Sequence, residues 1–334
     1  MIEIDGNYGE GGGQIIRTAL ALSTITGKSF IVKNIRHNRD QSGLKNQHLT
    51  GIIALEKLSG AKVSNVDLGS EEFEFVPGKI VPQTLTIDIK TAGSITLLMQ
   101  SLLLPCCEAE GKTRLKIIGG TDTKWSPSLD YFINLILPKF EKLAKFKIHE
   151  IKRGYYPKGQ GFLDISIKPR ENPDFSPIDL TVKPEITKIK GISSASNELR
   201  AADVAHRQAK SAKKKLSTLD IPVKIVEEYT KTKSIGTVIT LWMDNLGADF
   251  LGERRKRAEG VGAEAGANLL LLLCSDGVVD SHLADNLIPL LALYGGKIKT
   301  DKITNHIRSN IYVCEKFLDV KFEIDEEKNI IFTI

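Results

Sequence analysis

Leu55-Glu56-Lys57-Leu58-Ser59-Gly60-Ala61-Lys62-Val63 reads as the end of an amphipathic helix, a short turn and the start of a strand. The pattern returns as Phe140-Glu141-Lys142-Leu143-Ala144-Lys145-Phe146-Lys147-Ile148. It returns again as Cys314-Glu315-Lys316-Phe317-Leu318-Asp319-Val320-Lys321-Phe322. The first two copies lie about 85 residues apart, and the third lies two such periods further on plus a few residues. A second landmark keeps the same rhythm: Gly27-Lys28, Gly111-Lys112 and Gly296-Lys297 each close a helix and open a strand. The unit is strand, helix, strand, helix, strand, strand, over about 80 residues.

Outward from these anchors, the first unit spans Ile2 to Pro77 and the second Leu85 to Ile167. The third begins with a strand near Leu180 and resumes at Ser281. The stretch from Lys183 to Cys274 interrupts it and reads as an inserted domain, with helices over Asn197–Leu216 and Arg254–Leu273 and strands over Val223–Tyr229 and Gly236–Trp242. The expected class is α/β in the loose (α+β) sense. Three βαβαββ repeats form a large domain, residues 1–182 and 275–334. A smaller α/β domain, residues 183–274, is inserted in the third.

The opening of the chain carries a second signal. After an apolar run, Met1 to Ile4, comes Gly9-Glu10-Gly11-Gly12-Gly13, with four glycines in five positions. Apolar residues then follow at helical spacing from Gln14 to Thr26. A strand, a glycine turn and a helix N-terminus make an anion site, because backbone N–H groups converge there and the helix dipole is positive. A tight turn is the competing reading. Glu10 inside the loop suggests a metal ion and Arg17 an oxyanion partner. The P-loop pattern fails because Gln14 follows the last glycine, and the dinucleotide pattern fails on spacing.

Each unit also has a strand-to-helix loop on an equivalent edge, so the three can face one cleft. The first, Arg36 to His48, concentrates Arg36, Arg39, Lys45 and His48, a donor set suited to phosphates. The second is Gly119 to Pro127 and the third Thr300 to His306. His37 can be read either way, while His149 and His206 read as surface residues. A neutral imidazole near a helix start, as at His282 or His306, is nucleophilic, although such histidines are more often structural. Gln100 is an isolated amide in an apolar helix, Ala92 to Glu108, and needs a partner; a core amide is the default reading. The basic clusters Arg207 to Lys215 and Arg254 to Arg257 read as solvated helix faces.

Composition sets wide bounds. The 334 residues can bury a large core, and a net charge of +5 permits an anionic partner such as RNA without demanding one. The four cysteines, Cys106, Cys107, Cys274 and Cys314, show neither metal spacing nor a disulfide framework, and read as reduced thiols in a cytoplasmic protein. No basic region followed by an apolar core opens the chain, so no secretory signal is expected.

These residues resemble the RNA 3′-terminal phosphate cyclase family. The carriers are Asp5-Gly6 with Gly9 to Gln14 and Arg17, then Ile35-Arg36, Arg39, Gly43-Leu44 and Gln47-His48. Gly119-Gly120-Thr121-Asp122, Arg153 to Gly161, Leu283-Ala284-Asp285-Asn286, and His306 with Asn310-Ile311 complete the set. The resemblance covers the whole chain and implies the three-repeat fold with one insert. It also implies ATP-dependent conversion of an RNA 3′-phosphate to a 2′,3′-cyclic phosphate through a histidine–AMP intermediate. In that light His306 matches the nucleophile. Glu10 matches a carboxylate for a divalent metal, Mg2+ or Mn2+. Arg17, Arg36, Arg39, Gln47 and His48 match phosphate-contacting positions. Gln100, Pro127, Phe250, His282, Asp285 and Asn286 match the adenosine pocket. Bacterial relatives often place Tyr at His282 and Gln at Asn286, which bears on nucleotide preference. Two rivals differ in class. One is a cyclase-like ribosome-assembly factor, which lacks the nucleophile. The other is an enolpyruvyl transferase, built in two larger halves.

Overall fold

A computed structural model describes residues 1–334 as a mixed α/β protein of four four-stranded mixed sheets. In the first, β1 (Ile2–Asp5) pairs in parallel with β2 (Phe30–Lys33). β4 (Phe73–Val76) lies antiparallel to β2, and β3 (Lys62–Ser64) closes the edge. Helices α1 (Gln14–Thr26) and α2 (Asn46–Ser59) connect them. The second sheet runs β5 (Thr84–Asp88), β6 (Thr113–Gly119), β8 (Gly161–Pro169), β7 (Ala144–Lys152), again with one parallel pair and two antiparallel ones. Its helices are α3 (Ile95–Cys107) and a short turn α4 (Leu129–Tyr131) continued by a π-helical segment, Phe132–Ile136. The π-helical segment was not expected.

The third sheet pairs β9 (Ile178–Leu180) in parallel with a later strand, Gly296–Lys299, and adds two antiparallel strands, Phe322–Asp325 and Ile330–Thr333. The helices here are Ser281–Tyr294 and Asn305–Phe317. In each of the three sheets the order of joining is the same: the first strand is at one edge and the second beside it. The alternation of buried and half-buried residues along β6, Thr113 to Gly119, shows why these residues make strands.

The fourth sheet lies between β9 and the helix at Ser281. It contains β10 (Ile189–Ser196), β11 (Val223–Thr230), β12 (Thr237–Met243) and β13 (Leu246–Leu251), covered by α5 (Val204–Leu216) and α6 (Ala258–Cys274). The remaining helices are then α7 (Ser281–Tyr294) and α8 (Asn305–Phe317), with β14 (Gly296–Lys299) between them and β15 (Phe322–Asp325) and β16 (Ile330–Thr333) after them.

Three expectations for this region, and one elsewhere, need correction. The expected helix Asn197–Leu216 breaks after a single turn, because Asp203 sits in the left-handed region at φ 53°. The expected helix from Arg254 begins only at Ala258, after Arg255 turns to φ 68°. The sheet has four strands where two were read. β10 was missed because Ser193, Ser194 and Ser196 look like a loop, yet all three are buried with side-chain hydrogen-bond partners such as the Ala205 carbonyl and Thr232. In the large body, α3 starts at Ile95 rather than Ala92, since Ser94 caps it by accepting from the Leu97 N–H.

Two separate apolar clusters result. One joins the first three sheets through residues such as Phe30, Leu102, Leu135 and Phe317, and a smaller one lies within the fourth sheet and its helices. Polar stitches tie the fourth sheet to the rest. Arg153 is buried against Asp122, Asp130 and, across the junction, Glu228 of β11 at 2.8 Å. Asp280 accepts from the Tyr131 hydroxyl at 2.6 Å and from the Gly247 N–H at 2.9 Å. No helix is long and apolar enough to cross a membrane.

Phe30 shows how the chain's ends share one core, since its ring packs on Phe73, Phe75 and Phe317. Phe30→Ala should therefore cost about 3–5 kcal/mol of stability. Chemical denaturation followed by circular dichroism checks this. A loss below about 1 kcal/mol would mean that the two ends do not depend on each other.

Candidate active site

The N-terminus of α1 is uncapped: Gly13 precedes it and supplies no side chain, so the first N–H groups have no side-chain acceptor. The glycine turn before it is shaped by Gly9 and Gly11, at φ 60° and 58°. Gly13 is required by packing as well, because a Cβ there would fall 2.1 Å from His48 Nε2 and 3.0 Å from an Arg17 guanidinium nitrogen. The first turns of α1 and α2 are thus pressed together, and their basic side chains share one space.

The turn also rests on the end of the chain. Tyr8 stacks on Tyr312 of α8 at 4.1 Å between ring centroids, and the Tyr312 hydroxyl accepts from the Asp5 N–H. This places Glu10 beside the start of α8. Its carboxylate lies 3.4 Å from His306 Nε2, 3.4 Å from the Arg39 guanidinium and 3.3 Å from the Asn305 amide. Arg39 also donates to the Glu10 carbonyl at 2.9 Å. His306 is half-exposed in the first turn of α8, which Thr304 caps by accepting from the Ile307 N–H. Its Nδ1 faces Asp285 at 4.0 Å.

The Asp285 carboxylate faces the histidine and the first helix. It accepts from the Asn310 amide at 2.7 Å and from Gln14, and Gln14 also donates to the His306 carbonyl at 2.7 Å. Burial pushes this carboxyl up, while His306 and Arg17 pull it down. Arg17 donates to the Gln100 carbonyl oxygen at 2.7 Å, and Gln100 donates to Asn286 at 3.0 Å. Gln100 is therefore a partnered amide linking Arg17 to α7. Burial pushes the Arg17 guanidinium down to about 10, so it stays charged at neutral pH.

The donor loop places Arg36 half-buried at φ 57°, with burial and then its neighbour Arg39 lowering its pKa. His48 is buried, and its Nδ1 accepts from the Lys45 N–H at 3.2 Å. Burial, Arg17, Arg36 and Lys45 together push it down to about 3, so it is a neutral imidazole. The Gln47 amide nitrogen is buried with no partner, which suits an acceptor brought in by a ligand.

The remaining expected residues form a neighbouring wall. His282 is exposed at the start of α7, edge-on to Tyr131 at 6.5 Å. Asp249, next to Phe250 on β13, accepts from the Ser128 N–H at 2.6 Å, which fixes Pro127 beside that strand. Phe250 is half-buried with Lys256 above its ring. Sequence reasoning missed two participants, Asn305 and Thr18. Thr18 lies one turn beyond Gln14 on α1 and donates its hydroxyl proton to the Asn310 amide oxygen at 2.5 Å. Its spacing from Gln14 was the available signal.

No group of three or more His, Cys, Asp or Glu side chains is placed to cage a metal ion. Glu10 is an isolated carboxylate with an exposed face. That suits an ion that takes its other ligands from phosphates and water, as magnesium commonly does.

This arrangement gathers Arg17, Arg36 and Arg39 near a half-exposed histidine at one pole of an α/β protein. The family model for RNA 3'-terminal phosphate cyclase matches residues 8–324. The chain is similar to proteins of that name from Pyrococcus abyssi, 45% identical over 98% of this chain and 96% of that protein, and from Archaeoglobus fulgidus, 43% identical over 97% and 98%. The one from Methanosarcina barkeri is 42% identical over 99% and 98%. The chain belongs to the RNA 3′-terminal phosphate cyclase family.

The state of His48 has a measurable consequence. Its pKa is about 3 folded against an ordinary 6.5, so the unfolded chain binds the extra proton and stability is lost as pH falls from 6.5 toward 3. Between about pH 5.5 and 4.5, His48→Gln should flatten the stability profile by about 1.4 kcal/mol per pH unit relative to the parent. Equal slopes in denaturation series would show that His48 is not held neutral.

Proposed function

We propose that this protein converts an RNA 3′-terminal phosphate to a 2′,3′-cyclic phosphate at the expense of ATP. His306 attacks the α-phosphorus of ATP, a phosphoramidate forms, and pyrophosphate leaves. An oxygen of the RNA 3′-phosphate then attacks the same phosphorus and displaces the histidine, giving an RNA–phosphate–AMP anhydride. The neighbouring 2′-OH attacks the activated 3′-phosphorus, closes the ring and releases AMP. The observation that carries this reading is the juxtaposition of His306 with Glu10 and Asp285 beside an uncapped helix start and three arginines.

In this reading the Asp285 carboxylate facing Nδ1 favours the tautomer with its proton there, which leaves the Nε2 lone pair for attack. Arg17, Arg36 and Arg39, with Gln47 and His48, hold phosphate oxygens and stabilise the charge that develops on the leaving group. Glu10 would hold the divalent ion, which supplies further charge neutralisation when bound. Pro127, Phe250 and His282 flank the base, with Gln100 and Asn286 behind them. The chain is read as three copies of one unit, residues 1–182 and 275–334, with a small domain over 183–274 inserted in the third. The common strand order of the three sheets and the two separate apolar clusters support that division.

The test uses ATP labelled at the α-phosphate with a divalent metal. The expected result is a protein-bound label that is labile in acid and stable in alkali, and that His306→Ala abolishes. A 3′-phosphorylated oligoribonucleotide should then yield the cyclic end. An adduct that persists in His306→Ala overturns the nucleophile, and no adduct in the parent favours a scaffold protein.

A further inference from the structure

Trp125 is 94% exposed and Tyr156 76% exposed, in a chain whose other large aromatic rings are mostly covered. Trp125 is also held at φ 61°, a left-handed conformation that a bulky side chain adopts at a cost. Neither residue is used in the reading above.

Their loops are neighbours. The Thr121 N–H donates to the Gly154 carbonyl at 2.9 Å, and the Gly154 N–H donates back to the Thr121 hydroxyl at 2.9 Å. On the other side, the Lys158 N–H donates to Ser234 at 3.0 Å, which brings in the β11–β12 turn with Lys231, Lys233 and a 62% exposed Ile235. Gly159 packs so closely on the turn before α3 that an added Cβ would lie 2.8 Å from Ala92 Cα, and Lys90 precedes that turn. Two acidic groups lie in the same region. Glu253 pairs with Lys124 at 2.9 Å, and Asp88 accepts from the Lys90 backbone N–H. The side chains of Lys90, Lys158, Lys231 and Lys233 are exposed and have no carboxylate within ion-pair distance.

The patch is continuous with the candidate active site. Gly93, in the turn that carries Lys90, is packed so that its Cβ would lie 3.8 Å from Gln47 Cβ, and Gln47 bears the unpartnered amide beside the phosphate donors. Pro127, two residues after Trp125, is held by its carbonyl accepting from Thr96 at 2.8 Å. A polyanion whose end lies among Arg17, Arg36 and Arg39 would pass over these loops.

We propose that this face is the track for the nucleotides just 5′ of the reacting end, and that its ligand is single-stranded RNA. Trp125 and Tyr156 stack successive bases, and Lys90, Lys158, Lys231 and Lys233 follow the backbone. Separate aromatics among unpaired lysines suit stacking on bases, which every sequence offers. A protein-binding core would instead be depleted of lysine. The inference rests on the RNA substrate read above.

Two measurements test it. Trp125 and Trp242 are the two tryptophans, so in Trp242→Phe the emission reports Trp125. Titration with a 3′-phosphorylated oligoribonucleotide of about ten residues should quench it to saturation. The double variant Trp125→Ala, Tyr156→Ala changes only exposed side chains. It should raise KM for that oligomer about tenfold or more. It should leave self-adenylation by ATP and the cyclisation of a 3′-phosphorylated dinucleotide at parental rates. A parental KM for the oligomer, or no quenching while the parent cyclises it, overturns the RNA track and leaves the patch to a protein partner. Failure of the parent to self-adenylate counts against the proposed function instead, and the quenching result then decides the track alone.

Discussion

The first and last helices are joined by buried polar groups, and the candidate site depends on that junction. Thr18 of α1 bonds to Asn310 of α8, Asn310 donates to Asp285 of α7, and Gln14 of α1 bridges Asp285 and the His306 carbonyl. Every member of this network has a partner, so it orders three helices at little cost, whereas a half-satisfied version would be worse than an apolar seam. Its position matters more than its strength. Residues almost three hundred apart in the chain are held within hydrogen-bond reach at the same pole where α1 leaves its N–H groups uncapped.

The charges follow from this geometry. The pressing of α1 against α2 through Gly13 brings Arg17, Arg36 and Lys45 around an imidazole that is kept neutral first by burial and then by their combined field. Such a cluster of like charges is costly without an anion and favourable with one. Beside them the carboxylates of Glu10 and Asp285 supply the opposite sign on either side of His306. The fourth sheet is fixed to this centre by Asp249 and Glu228, which reach across to Ser128 and Arg153 of the larger body, and by Asp280 of the larger body, which accepts from the Gly247 N–H.

Much of the secondary structure was legible in local patterns. The glycine turn and α1, the helix ends at Gly27 and Gly60, and the start of β7 at Ala144 follow from periodicity and turn chemistry. The errors have local causes too. β10 hides its strand character behind hydrogen-bonded serines, Asp203 breaks an otherwise helical stretch, and the π-helical Phe132–Ile136 has no pattern of its own. For the site, residue type and loop position pointed to Glu10, Arg17 and the Arg36–His48 loop. His306 stood out only through resemblance, since one histidine at a helix start carries little information. The orientation of Asp285 toward His306 was not legible, because it depends on how α7 and α8 meet.

The central claim is that His306 carries AMP in a cleft assembled from both ends of the chain. Peptide mapping by tandem mass spectrometry after a pulse of ATP and divalent metal, with digestion in alkaline buffer, addresses it most directly. AMP is expected on the peptide containing His306, on the imidazole, and should be lost after brief acid treatment. AMP found on Lys45, or on any residue other than His306, would contradict it.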